Sequence, residues 1–176
     1  MSSHSPEPQR ILIVDDLANN IVGIEAILSD LENIETDSAE GGFEAIEKMK
    51  EQDYDLVLVD VQMPGMDGFQ LAEVIRKSPN IHETPIVFIS ANYLQEQDAQ
   101  EAFLTGAWDY LMKPISQEIL LAKVRLFLER SSMKKELEQL RSELKAYSEL
   151  VGKMTAFASG IQDEVKELAG NKGGAD

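Results

Sequence analysis

Leu56-Val-Leu-Val-Asp60-Val-Gln-Met-Pro-Gly-Met-Asp-Gly68 is the stretch on which the fold turns. Four apolar residues run without a polar break and end on an aspartate. A half-exposed strand would alternate polar and apolar, so a continuous run reads as a strand buried on both faces. The loop that follows, Met63-Pro-Gly-Met-Asp-Gly68, is dense in turn formers and leads into a helical pattern. Three more runs repeat the arrangement. Ile11-Leu-Ile-Val14 precedes Asp15-Asp16, Ile86-Val-Phe-Ile89 precedes Ser90, and Tyr110-Leu-Met112 precedes Lys113.

Strands are expected near 10–15, 33–37, 55–60, 85–90 and 108–112. Helices are expected near 18–31, 40–51, 67–78, 93–104 and from 115 onward. Ile21, Ile24, Ala26, Ile27, Leu28 and Leu31 keep a 3.6-residue period. Five βα units of this length predict the α/β class, as a flavodoxin-like doubly wound sheet. Its five parallel strands take the order 2-1-3-4-5 with right-handed crossovers. In such sheets ligands gather at the carboxyl ends of the strands. Asp15, Asp16, Asp60, Ser90 and Lys113 would then share one cleft, an inventory suited to a divalent cation plus a phosphoryl group.

Bulk properties narrow the function. The 176 residues contain no cysteine, which excludes disulfides and thiolate metal sites and agrees with a reducing cytosol. No apolar run reaches the ~20 residues of a membrane span, and residues 1–9 lack a signal-peptide pattern. The expectation is a cytoplasmic protein that does not engage a membrane. Of the net charge of −16, residues 1–130 hold 24 acidic and 9 basic groups, hence −15, and residues 131–169 hold 7 and 6, hence −1. A domain this acidic repels phosphate backbones, so nucleic acid is not an expected partner.

The last helix has no Gly or Pro between Ile115 and Val151. Apolar residues then alternate in steps of four and three: Met133, Leu137, Leu140, Leu144, Tyr147, Val151, Met154, Ala158, Ile161, Val165 and Leu168. That is a heptad stripe, with Leu137, Leu144, Val151, Ala158 and Val165 at a. At ~1.5 Å per residue the segment 131–168 would reach roughly 57 Å. A parallel homodimer is the expected use, with Glu136 able to meet Arg141 of a second copy. Leu150 and Phe157 at g widen the stripe, and Gly152 and Gly160 weaken its distal half. A bundle, a docked partner, or a helix folded back on its own domain remain open. The predicted organisation is a disordered leader at 1–9, a domain at 10–130, a coiled-coil helix at 131–169 and a flexible tail at 170–176.

The motifs together resemble the receiver domain of two-component response regulators. The likeness rests on Val14-Asp-Asp16, on Val59-Asp-Val-Gln-Met-Pro-Gly-Met-Asp-Gly68, on Ser90-Ala91 and on Gly106-Ala-Trp-Asp-Tyr-Leu-Met-Lys-Pro114, and covers about residues 10 to 130. It implies that Asp60 is a nucleophile that becomes an aspartyl phosphate. It implies Mg²⁺ or Mn²⁺, held by Asp15 or Asp16, by Asp60 and by the backbone carbonyl of Gln62. Asp16 would be the more direct ligand, with Asp15 acting through water. Lys113 would pair with Asp60 and then with the phosphoryl oxygens, before a cis bond to Pro114, and Ser90 would donate to the phosphoryl group. Tyr110 would turn inward as Ser90 moves, and residues 62 and 92 would tune dephosphorylation. The implied donor is a sensor histidine kinase or phosphotransfer protein, and the chain would catalyse only its own phosphorylation and dephosphorylation. The plainer reading of Asp15-Asp16, a turn and helix cap, competes with the metal role.

Other functions meet specific obstacles. A haloacid-dehalogenase type of phosphatase needs an aspartate where Gln62 stands. A nucleotide binder of this fold would place glycines where Asp15 and Asp16 stand. The alternative is the regulatory front part of a larger enzyme, such as a diguanylate cyclase, phosphatase or hybrid kinase. No motif of such an output occurs in these 176 residues.

Overall fold

The computed structural model describes residues 7–91 and 108–170, with side chains up to residue 167. The helix expected at 93–104, position 92, most of the leader, the tail after residue 170 and the Leu168 side chain lie outside the described residues.

Five strands form one parallel sheet: β1 Gln9–Val14, β2 Ile34–Ala39, β3 Leu56–Asp60, β4 Ile86–Ser90 and β5 Asp109–Met112. Their order is β2-β1-β3-β4-β5. The register places Ile13 opposite Leu58, Asp60 opposite Ile89, and Ser90 opposite Met112. The described helices are α1 Ala18–Leu28, α2 Gly42–Glu51, α3 Gly68–Lys77 and α4 Gln117–Gly170.

Strand alternation builds two apolar layers. Leu12, Val14, Val57, Val59, Ile86 and Phe88 pack on α2 and α3, against Ala45, Met49, Leu71 and Ile75. Ile11, Ile13, Leu56, Leu58, Val87 and Ile89 pack on α1 and the start of α4, against Ile24, Leu28, Leu120 and Val124. Because both faces are covered, β3 and β4 are buried along their whole length. This explains why they read as unbroken apolar runs.

Helix α1 ends at Leu28, three residues before its expected end. Ser29 N–H donates to the Glu25 carbonyl and Asp30 N–H to the Ile27 carbonyl as the helix closes, and Asn33 takes φ 58° to turn the chain into β2. Leu31 still packs on the core, so the apolar period outlasts the helix. Helix α3 starts on Asp67, whose carboxylate accepts from Gln70 N while the Gln70 side chain accepts from Asp67 N. This reciprocal pair satisfies two of the helix's orphan donors.

Two compact units divide the chain, residues 1–131 and 132–176. In the first, Gln9 Nε2 donates to the Leu128 carbonyl at 2.7 Å. The buried Asp55 accepts from Arg10 N at 3.0 Å and from Ser131 Oγ at 2.6 Å. In the second, residues 133–167 are helical and exposed on all sides. Among the described residues no helix is long and apolar enough to cross a membrane.

Candidate functional site

The carboxyl ends of β1, β3, β4 and β5 carry the polar groups that the apolar runs deliver. Asp15 follows β1, Asp60 and Ser90 end β3 and β4, and Lys113 follows β5. Asp15, Asp60 and Ser90 are 1%, 6% and 3% exposed. Burial of two carboxylates and a hydroxyl at one sheet edge is costly unless their charges and lone pairs are met.

Lys113 meets both acids. Its ammonium lies 2.6 Å from Asp60 Oδ1 and 3.0 Å from Asp15 Oδ2. Its backbone N–H donates to the Ser90 carbonyl at 2.8 Å, which extends the β4–β5 ladder to the lysine, and the Lys113–Pro114 bond is cis. The remaining carboxylate oxygens are also held. Asp60 Oδ2 accepts from Gln62 N at 2.8 Å. Asp15 Oδ1 accepts from Leu17 N at 2.9 Å, and Asn20 Nδ2 reaches both Asp15 oxygens at 2.9 Å.

The two readings of Asp15 therefore coexist. It shapes the turn into α1 through Leu17 N, and it also faces Lys113. Asp16 is only half-buried, and among the described residues its carboxylate takes part in no hydrogen bond or ion pair. The role of Asn20 escaped the sequence reading, although an amide five residues after Asp15, in the first turn of α1, is the signal that could have found it.

Burial raises the Asp60 carboxyl above its ordinary range. The Lys113 ammonium pulls it back, while the charge of Asp15 adds to the rise. Burial works against the Lys113 charge, yet Asp60 and Asp15 outweigh it and hold the ammonium above its usual range. The carboxylate is thus basic for its kind and lies beside a fully charged cation.

Tyr110 on β5 is 37% exposed. Glycine is demanded at position 68, where an added Cβ would lie 2.6 Å from the Asp60 carbonyl oxygen. The Met66 side chain packs on Gly42, so the loop after Asp60 also touches the start of α2. An open cleft of 290 Å³ lies beside Lys113 and Pro114, walled by Asn20, Ile24, Ile27 and Ile115.

Fold and site define a flavodoxin-like α/β protein with a carboxylate–lysine pocket at the carboxyl edge of its sheet. Residues 11–125 match the response regulator receiver domain, and the chain belongs to that family. It is 38% identical over 123 residues to the sensor protein GacS of Pseudomonas syringae, covering 68% of this chain and 13% of that protein. It is 37% identical over 123 residues to the transcriptional regulatory protein ResD of Bacillus subtilis, covering 70% and 49%. The chain thus spans half or less of these relatives.

Solved structures agree. The chemotaxis protein CheY4 of Vibrio cholerae superposes with a TM-score of 0.64 at 29% identity, over 69% of this chain and 99% of that one. A two-component response regulator from Clostridium difficile gives 0.63 at 34% identity, over 69% and 97%.

Proposed function

We propose that Asp60 accepts a phosphoryl group from a phosphohistidine donor, on a sensor histidine kinase or a phosphotransfer protein, and that the chain signals through this modification. The observation that carries the reading is the convergence of Asp15 and Asp60 on Lys113 at the carboxyl ends of β1, β3 and β5. In the reaction a carboxylate oxygen of Asp60 forms a bond to phosphorus. The phosphorus–nitrogen bond of the donor breaks, and its electron pair returns to the imidazole. The raised basicity of Asp60 favours attack. Lys113, already within 2.6 Å, offers a positive charge to the incoming oxygens, and Ser90 offers a hydroxyl. Positioning and charge neutralisation are most of what phosphoryl transfer asks of a protein.

The residues suit Mg²⁺. The pocket presents oxygen donors only, and Mg²⁺ is typically held by one or two carboxylates plus substrate phosphate. Among the described residues no three acids or histidines are gathered into a metal cluster. We assign the ion to Asp60, to Asp16, whose carboxylate has no hydrogen-bond partner among the described residues, and to the Gln62 carbonyl, with Asp15 oriented by Asn20 acting at longer range. Mn²⁺ fits the same donors. When bound, the ion neutralises the charge that builds up between donor and acceptor.

Downstream, the reading has Ser90 drawn to the phosphoryl group and Tyr110 turning inward, with helix α4 as the outlet. The heptad stripe of residues 133–168 would pair two copies in parallel. A cytoplasmic location goes with such a partner kinase. A second reading draws on the relatives. A probable cyclic di-GMP phosphodiesterase of Vibrio cholerae matches at 34% identity with 27% of its length covered, so the same module could regulate an enzyme.

The test is labelled acetyl phosphate with Mg²⁺. Wild type should incorporate label that EDTA prevents and alkaline hydroxylamine removes, and Asp60→Asn should take up none. Equal labelling of the two proteins would overturn the assignment.

A further inference from the structure

The three acids at the carboxyl edge of the sheet differ in how many of their lone pairs are already taken. An ionised carboxylate offers about four acceptor positions, two on each oxygen. Asp60 accepts from Lys113 Nζ at 2.6 Å and from Gln62 N at 2.8 Å, one bond on each oxygen. Asp16 accepts from no group among the described residues. Asp15 is engaged on every side. Its Oδ1 accepts from Leu17 N and Asn20 Nδ2, both at 2.9 Å, and its Oδ2 from Asn20 Nδ2 at 2.9 Å and Lys113 Nζ at 3.0 Å.

The Asn20 amide takes the position that matters most for a metal. A nitrogen at the same distance from both oxygens stands on the midplane between them, in front of the carboxylate, where a cation held by both oxygens would stand. The outer sides of the two oxygens belong to Leu17 N and Lys113. Helix α1 fixes the amide there, because the Asn20 backbone N–H donates to the Leu17 carbonyl at 2.9 Å and closes the first turn. That turn has no acidic side chain, and Leu17 at the cap position gives no side-chain bond. Asp15 is therefore the acceptor that the start of α1 faces.

We propose that Asn20 is a positioning residue that withholds Asp15 from the cation and reserves it as the second counter-charge of Lys113. This rests on the reading of the pocket as a Mg²⁺ or Mn²⁺ site. A cation could reach Asp15 directly only by displacing one of its present donors, whereas Asp16 and Asp60 have acceptor positions open. Held in this way, Asp15 gives the Lys113 ammonium an anionic partner that does not depend on what Asp60 binds.

The test counts free Mn²⁺ by electron paramagnetic resonance, without any phosphoryl chemistry. Full-length wild type, Asn20→Ala, Asp15→Asn and the double variant are titrated. Alanine favours a helix more than asparagine does, so α1 should form, and urea midpoints check this. Removal of the amide opens the front of Asp15, so Asn20→Ala should bind Mn²⁺ about threefold or more tighter than wild type. The gain should vanish when Asp15 is also replaced, since the two residues act as one unit. Asn20→Ser, whose single shorter donor cannot span both oxygens, should move in the same direction and serves if Asn20→Ala does not fold. A merely structural role for Asn20 would weaken binding or leave it unchanged. Either result would overturn the proposal and leave the cation site standing, as would a gain that persists without Asp15. Wild type that binds no Mn²⁺ would overturn both the proposal and the reading on which it rests.

Discussion

Replacing glycine by alanine should have opposite signs at two helical positions of this chain. At Gly68, the first residue of α3, the new methyl would lie 2.6 Å from the Asp60 carbonyl oxygen, 3.0 Å from Val61 Cα and 3.1 Å from Val59 Cγ1. Two of these neighbours are backbone and cannot swing aside. Overpacking of this kind costs about 1–3 kcal/mol. The helix preference of alanine returns at most about 1 kcal/mol, and less at the first helical residue, which makes no intrahelical N–H bond. The net expectation is a loss of roughly 1–2 kcal/mol.

The clash falls on the peptide that carries the acceptor carboxylate, so phosphorylation should slow as well. At Gly152 an added Cβ meets nothing within 4 Å, and Gly152→Ala should gain about 0.8–1 kcal/mol. Urea midpoints of the two variants, with acetyl phosphate labelling of Gly68→Ala, provide the assay. A Gly68→Ala protein with wild-type midpoint and wild-type labelling rate would show that the β3–α3 loop is not fitted as described.

Three other expectations concern the charges. Lys113→Ala leaves the buried Asp15 and Asp60 without their shared cation, and partial exposure of the lysine moderates the loss to roughly 1–3 kcal/mol. Because Mg²⁺ can answer the same charge, it should raise the melting temperature more in Lys113→Ala than in wild type. The raised carboxyl of Asp60 means that its ionisation costs folded stability. The stability contributed by its protonated form is fully present below the unfolded value near ~3.9 and is lost as pH rises through the folded value. Stability of wild type relative to Asp60→Asn should accordingly fall as pH rises through the acid range, and a flat difference would contradict the shift. Ser131→Ala removes one donor from the buried Asp55 and should cost about 1.5–3 kcal/mol in a urea titration.

The parts that could be read from the chain are those set by local pattern. β3 and β4 are buried on both faces, so Leu56-Val-Leu-Val59 and Ile86-Val-Phe-Ile89 announced themselves as apolar runs. Asp60, Ser90 and Lys113 were visible because each sits at the end of such a run. What depended on distant geometry was not visible. Asn20 is the near case: it stands only five positions after Asp15, and the first turn of α1 brings its amide back to that carboxylate. Asp55 looks like a strand-opening polar residue, yet it is 2% exposed and holds Ser131, 76 positions away. Leu31 keeps the helical period of α1 while lying beyond its end, because a residue in a turn can still face the core. The resemblance implied that Lys113 pairs with Asp60, but not that Asp15 shares the ammonium.

Intact-mass analysis after incubation with acetyl phosphate and Mg²⁺, followed by peptide mapping, tests the phosphoacceptor assignment most directly. A single phosphoryl adduct should appear, confined to the peptide that contains Asp60 and missing from Asp60→Asn. No adduct on wild type, or an adduct of equal size on Asp60→Asn, would contradict the account.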